Sequence, residues 1–279
     1  MSRPLSPFAR LYLLAVIVSV AGPFVPLFIA SVAFRWGWPD LLPSTWWWQV
    51  RETSRLPVAW DFVFSSASGA VAALWNTVLI AVLVTLLCAF ICLPAARALA
   101  TRDFFGKAAL EYFLLTPLIV PEIAVGLGIL VTFLSLGLAG GLLGIVLAHL
   151  IPTIPYMTRI LTAVFQNLDT TFEAQARTLG ANPLKTLWFV TLPLVAPGLL
   201  AGGLFTFLVS SNVFLLTFFV GRGQVETLPT LLFSKLSGGG VLDPVAAGLA
   251  LLVSLPGVVL LVLTEKLIRD EVLAGGFGA

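Results

Sequence analysis

The chain has 279 residues, 59% of them hydrophobic and only 10% charged, with a mean hydropathy of +1.06. That composition excludes an ordinary soluble domain and marks a membrane protein. The formal net charge of +2 is too small to point to nucleic acid, and no nucleic-acid partner is expected.

Uncharged stretches at 11–34, 62–96, 123–158, 186–221 and 244–264 are each long enough to cross a bilayer. Two of them are too long for one crossing. The stretch 123–158 breaks at Gly137-Leu-Ala-Gly-Gly141, and 186–221 is expected to begin its crossing late, at Leu192-Pro193. The predicted fold class is an all-α polytopic membrane protein with six transmembrane helices, at about 11–34, 71–96, 109–136, 142–166, 194–221 and 244–266. Residues 1–34 form the first helix with its N-terminal lead, and 35–70 a Trp-rich external segment. Residues 71–268 form a core of five helices carrying a polar loop at 167–193, and 269–279 a tail.

An even number of crossings puts both termini on one side. Arg3, Arg10, Arg97, Arg102, Lys107, Arg159, Arg177, Lys185, Lys266 and Arg269 fall on that side. They outnumber Arg35, Arg51, Arg55, Arg222 and Lys235 on the other, so the termini and the 167–193 loop are expected in the cytoplasm. The first apolar run follows Arg3 and Arg10 as a secretory signal does, but it exceeds the usual length of about 7–15 residues and reads as an uncleaved helix. Trp36, Trp38, Trp46, Trp47, Trp48 and Trp60 crowd the external segment. They form an interfacial belt at headgroup depth or face an extracytoplasmic partner, and both readings stay open. Cys88 and Cys92, the only cysteines, lie four apart on one helix face and read as small packing residues.

Within the polar loop, Thr170 followed by Glu173 is a capping-box pattern, with Asp169 adding negative charge at the helix start. Gly180 suits a C-terminal cap and Asn182-Pro183 prevents continuation, giving a short helix at about 171–179. Phe172, Ala176 and Leu179 make one apolar stripe, while Glu173, Gln175 and Arg177 point elsewhere. So short a helix is marginal in water and must be held by docking, either as an interfacial connector or against a partner.

Isolated polar groups interrupt the spans. Glu122 lies near the middle of the third, after Pro121. It reads either as a functional group in a cavity wall loosened by Pro117 and Pro121, or as a neutralised or paired carboxyl holding helices together. His149 is the single histidine, which excludes a multi-histidine metal site and favours a packed, hydrogen-bonded imidazole. Ser210, Ser211 and Asn212 face a translocation path or bond between helices. Asn76 opens the second span.

The 173–193 segment resembles the cytoplasmic loop of type I ATP-binding-cassette (ABC) importer permeases, the binding-protein-dependent inner-membrane components. Their loop reads Glu-Ala-Ala, three residues, Gly, nine residues, an aliphatic, one residue, Leu-Pro. Here Gly180 is followed by Val190, Leu192 and Pro193 in that register. The family Glu falls on Ala174, followed by Gln175 and Ala176, so the acid stands one residue early as Glu173. Asn76-Thr77, Leu93-Pro94-Ala95-Ala96-Arg97, Pro117-Leu-Ile-Val-Pro121-Glu122-Ile123, Ala148-His149 and Ile154-Pro155-Tyr156 carry the likeness over about 70–268.

The resemblance implies a permease subunit whose loop residues Phe172, Glu173, Ala174, Gln175, Ala176, Arg177, Leu179, Gly180 and Ala181, with Leu192 and Pro193, couple it to an ATPase. Asn76, Glu122, Ser210, Ser211 and Asn212 are the candidate translocation-path residues. Implied partners are two ABC ATPase subunits, a second and related permease chain, a periplasmic solute-binding protein and the bilayer of a bacterial inner membrane. No cofactor or metal is expected on this chain, ATP and magnesium belonging to the partner ATPase. Gly106-Lys107-Ala108 lacks the first glycine and the hydroxyl residue of a phosphate-binding loop, so the chain is not expected to be an enzyme.

The implied branch takes small polar solutes of the polyamine, opine, phosphonate or iron type. The polyamine branch carries an acid near Ser211, which this chain lacks, and that argues against a polycation. An ion-coupled secondary transporter working without an ATPase is the alternative, but it should show repeats or several intramembrane charges. An intramembrane enzyme built on Glu122 and His149 has no triad, paired-acid or metal-ligand spacing behind it.

Overall fold

The computed structural model describes residues 6–37, 39–54, 57–237 and 243–275. Arg3, Trp38, Arg55 and positions 276–279 of the expected tail lie outside the described residues. The described part is mostly helical, and its contacts divide the chain into two compact units, 1–74 with 231–255, and 75–230 with 256–279.

In the first unit, α1 (Pro7–Ala21) starts where Ser6 accepts from the Ala9 N–H at 3.2 Å and Pro7 presets the first helical φ. The expected straight span 11–34 is instead kinked by 40° between α1 and α2 (Phe24–Val32), because Pro23 has no N–H to continue the ladder. Strands β1 (Ala33–Arg35) and β2 (Thr45–Trp46) then pair antiparallel, a small departure from an all-α fold. Helices α3 (Trp47–Arg51) and α4 (Trp60–Val63) follow in the Trp-rich segment.

Two of the tryptophans there pack on each other. Trp46 and Trp48 stack at 5.0 Å, and the Arg51 guanidinium lies 5.4 Å from the Trp47 ring while pairing with Asp61 at 3.0 Å. The indole N–H groups of Trp36 and Trp47 donate to the Asp40 and Val58 carbonyls, so neither is left unpaired.

The second unit is built on α5 (Ala70–Thr101), a continuous rod of about 48 Å by helical rise. It overruns the expected 71–96 and so carries Arg97 on a helix. Ile80, Val84, Cys88, Cys92 and Ala96 repeat every four residues along it, which gathers them on one buried face. Cys88 Sγ meets Thr153 Oγ1 at 3.3 Å and Cys92 Sγ lies 3.8 Å from the Ile154 carbonyl, so both are free thiols used in packing, as expected.

The expected third span 109–136 is two helices, α6 (Lys107–Ile119) and α7 (Glu122–Ser135), bent by 102°. The cause is local: Val120, forced toward extended backbone by the proline after it, has ψ 134°, and Pro121 supplies no donor. After the 137–141 glycine turn, α8 (Leu142–Gln166) matches its expected bounds.

The fifth span differs most. The helix does not start at Leu192-Pro193 but runs from α10 (Pro183–Thr186) through a single π turn at Leu187–Thr191 into α11 (Leu192–Asn212). The Leu192 N–H reaches the Leu187 carbonyl, five residues back, and that wider turn accommodates the missing donor of Pro193. The break falls later, at Val213-Phe214, before α12 (Leu215–Gly221). Helices α13 (Leu228–Ser237) and α14 (Pro244–Gly275) follow.

α8 and α11 make the most extensive contact in this unit, and α11 touches at glycines: a Cβ on Gly198 would stand 2.3 Å from Val164, and one on Gly202 2.6 Å from the Met157 sulfur. Among the described residues three helices are long and apolar enough to cross a membrane, and up to five if each bent pair counts as one crossing. The apolar part of α14, Pro244–Leu260, is shorter.

Candidate functional site

The polar loop 167–193 folds into α9 (Thr171–Thr178) and α10. The expected capping box does not form. Thr170 has helical backbone angles and makes no side-chain cap, and Asp169 Oδ1 accepts from the Thr171 N–H at 2.9 Å instead. That hydrogen bond and one from the Thr171 hydroxyl hold the fully exposed Asp169 carboxyl below the usual carboxylate range.

The C-terminal end behaves as expected. Gly180 adopts φ +86°, its N–H bonds the Arg177 carbonyl, and the Ala181 N–H reaches back to Ala176, a Schellman closure. Asn182-Pro183 does stop α9, but it also starts the next helix: Asn182 Oδ1 accepts from the Lys185 N–H at 2.8 Å and Pro183 sits at the first position.

The faces of α9 are distributed against the usual rule. Phe172 is 50% exposed and Leu179 89%, whereas Glu173 is buried at 8%. Glu173 does not point away into solvent. Its Oε2 accepts from Arg97 Nη2 of α5 at 2.5 Å and its Oε1 from the Thr191 hydroxyl of the π turn at 2.6 Å. Both carboxylate oxygens are occupied, by one cation and one hydroxyl, which offsets the cost of burying the charge. Beside this pair a recess of about 320 Å³ opens, lined by Arg97, Thr101, Phe165, Thr170, Glu173 and Arg177 among others.

Of the remaining loop residues, Ala174, Gln175, Arg177, Gly180 and Pro193 are exposed, and Ala176, Ala181 and Leu192 are half-buried. Arg97 and Thr191 were not among the sequence candidates. Arg97 lies 76 residues from Glu173, and no periodicity signals such a contact.

The path candidates occupy separate settings. Asn76 Nδ2 donates to the Glu226 carbonyl at 2.8 Å, and the neighbouring Thr77 hydroxyl accepts from the Leu228 N–H. Glu122, expected within a continuous span, is the exposed first residue of α7, at the 102° bend after Pro121. Ser210 is buried against His149: Nδ1 lies 2.9 Å from Ser210 Oγ and Nε2 2.8 Å from Thr217 Oγ1. His149 is thus the packed imidazole that the sequence favoured. Ser211 donates to the Leu208 carbonyl, as does the exposed Asn212 amide.

Comparison with known proteins adds family to this geometry. Residues 89–270 match the model of the binding-protein-dependent transport system inner membrane component family. The putrescine transport system permease protein PotI of Escherichia coli strain K12 is 32% identical over 142 residues, 49% of this chain and 50% of that protein. The chain therefore spans about half the length of that relative. The molybdenum transport system permease protein ModB of the same strain is 31% identical over 186 residues, 60% of this chain and 81% of that protein. A solved bacterial ABC transporter involved in the import of the acidic polysaccharide alginate has a chain that superposes with a TM-score of 0.70 at 17% identity. The match covers 95% of this chain and 99% of that one, a likeness of fold. With its polar loop between long apolar helices and its family match over most of the chain, this multi-pass membrane protein belongs to the binding-protein-dependent transport system inner membrane components.

Proposed function

We propose that the chain is a transmembrane permease subunit of an ATP-driven importer of the inner membrane, and that α9 is the helix through which an ATPase drives it. The observation that carries this reading is the inverted burial of α9, with Phe172 and Leu179 outward and Glu173 inward. A helix of eight residues gains nothing in water by exposing its largest apolar side chains, so that face is kept for another protein. Leu184 on α10 is exposed as well, and the exposed Arg177 and Lys185 add positive charge to the loop. An ATPase subunit with an apolar groove and an acidic rim fits this surface.

The rest of the assembly follows the family. Two ATPase subunits bind and hydrolyse ATP with magnesium, since this chain has no phosphate-binding loop of its own. A second permease subunit pairs with this one, and a periplasmic binding protein delivers the solute. Six crossings put both termini in the cytoplasm, with 1–34 and 35–70 preceding a core of 71–268 and a tail at 269–279. The solute is small and polar, a reading supported by the likeness to PotI and ModB and by the neutral Ser211 and Asn212 on α11.

The test is capture of the ATPase subunit by the purified chain. Phe172→Asp and Leu179→Asp should each weaken retention at least about tenfold, because each places a charge in a dry interface. The melting temperature of the permease alone should stay unchanged, since both side chains are exposed. Undiminished capture by the double variant, or uptake that runs on an ion gradient without the ATPase, overturns the reading.

A further inference from the structure

We infer that Glu173, Arg97 and Thr191 form a mechanical joint that fastens α9 to α5 and to the π turn leading into α11, so that displacement of α9 is passed to two membrane helices. The inference rests on the reading of α9 as the ATPase-driven helix.

The geometry separates the two faces of α9. On one side lie the exposed Phe172 and Leu179; on the other a single carboxylate reaches two different elements, at 2.5 Å and 2.6 Å. An apolar contact slides at little cost, whereas a carboxylate held by a guanidinium and a hydroxyl is fixed in direction and distance. Burial of the Glu173 carboxylate strengthens its bonds, although the Arg97 side chain stays one-third exposed beside the recess. The other ion pairs among the described residues, Arg51–Asp61 and Lys107–Asp103, are local in sequence; Arg97–Glu173 joins helices 76 residues apart.

What the joint grips is suited to transmission. α5 is unbroken from Ala70 to Thr101, so a pull on Arg97 acts on a rigid rod. Thr191 closes the π turn, a locally widened segment with a different hydrogen-bond register from the helix after it. α9 otherwise packs on α10 and the π turn, the segments that follow it in the chain, so the Glu173–Arg97 pair is what carries it to α5. Standing one residue ahead of the family position, Glu173 is turned from the proposed ATPase face to the body of the chain. It is a positioning residue and not an ATPase contact.

The test uses the complete complex of the chain with its ATPase subunits and companion permease, with Cys88 and Cys92 replaced by alanine. A single cysteine at Asn212, the exposed end of α11, is labelled with fluorescein maleimide with and without ATP. Glu173→Gln is expected to keep full ATPase capture while the ATP-dependent change in labelling falls about tenfold, the loss of a charge-assisted bond. Arg97→Ala should behave alike, the pair together no worse than either alone, and the exchange of Arg97→Glu with Glu173→Arg should restore part of the response. Loss of ATPase capture in Glu173→Gln makes Glu173 an ATPase contact and overturns the joint. An unaltered ATP response in Glu173→Gln overturns it as well, with the α9 reading left standing. If the unsubstituted chain holds no ATPase, both fall together.

Discussion

His149 sits within a shell of hydroxyls rather than charges, and that decides what it can do. A neutral imidazole has one donor and one acceptor. Thr217 donates to the Val213 carbonyl at 3.2 Å and accepts from Nε2–H, while Ser210 donates to Nδ1, an arrangement that satisfies every group. The ring thereby ties α8 to both sides of the break at Val213-Phe214, where the helix ladder is interrupted. His149→Ala takes its side-chain partner from the buried Ser210 hydroxyl and one of two partners from Thr217, and is expected to cost about 1–3 kcal/mol. It would show as a lower melting temperature of the detergent-purified chain. Replacing the set together, His149→Leu with Ser210→Ala and Thr217→Val, removes the orphaned groups and should recover most of that loss. A triple variant less stable than His149→Ala would show that volume, not hydrogen bonding, governs this spot.

At the scale of elements, the tightest contact is between α8 and α11, and two glycines one helical turn apart allow it. Gly198 and Gly202 form a small-xxx-small face, the usual device for bringing helix backbones together where no water drives association. Gly198→Leu is expected to cost more than about 2 kcal/mol, because Val164 already stands where its Cβ would be. Leu substituted for the exposed Ala201 should be silent in the same melting assay. The apolar lengths, the 137–141 turn and the 142–166 span were readable in the sequence, all of which follow from hydropathy and glycine, whereas the Gly198/Gly202 contact came from the structure. The breaks were harder. Pro193 read as a helix start, yet a π turn absorbs it, while the true break at Val213-Phe214 carries neither glycine nor proline. In the loop, the Gly180 closure was legible because φ above zero is a local demand. The burial of Glu173 was not, since its partners lie 76 and 18 residues away and its helix exposes the apolar face.

For the molecule within its membrane, the contacts of the second unit decide whether the bent pair α6/α7 crosses or returns. Glu173 touches Arg97, so the loop after α8 lies on the same side as the end of α5, and α6 begins a few residues beyond that end. α6 flanks the half of α8 nearest this loop, where Leu114 and Leu115 share a crevice with Pro155 and Thr162. α7 belongs to the opposite half: Gly126 packs on Phe219 and Leu216 of α12, and the Gly140 N–H reaches the Val220 carbonyl at 2.7 Å. α8 then crosses in one piece, since its 25 residues extend about 37 Å against a hydrocarbon core of about 30 Å. The contacts thus favour a change of sides between Lys107 and Leu142, and α6/α7 is expected to make that crossing despite its 102° bend. Single cysteines read this directly with a membrane-impermeant maleimide, the native Cys88 and Cys92 being buried. Cysteine at Phe105 or Leu179 should react only from the cytoplasmic face, and cysteine at Leu136 or Arg222 only from the outside. Labelling of position 136 from the same face as 105 would make α6/α7 a re-entrant hairpin, and the positive-inside count would then fail from the third span onward.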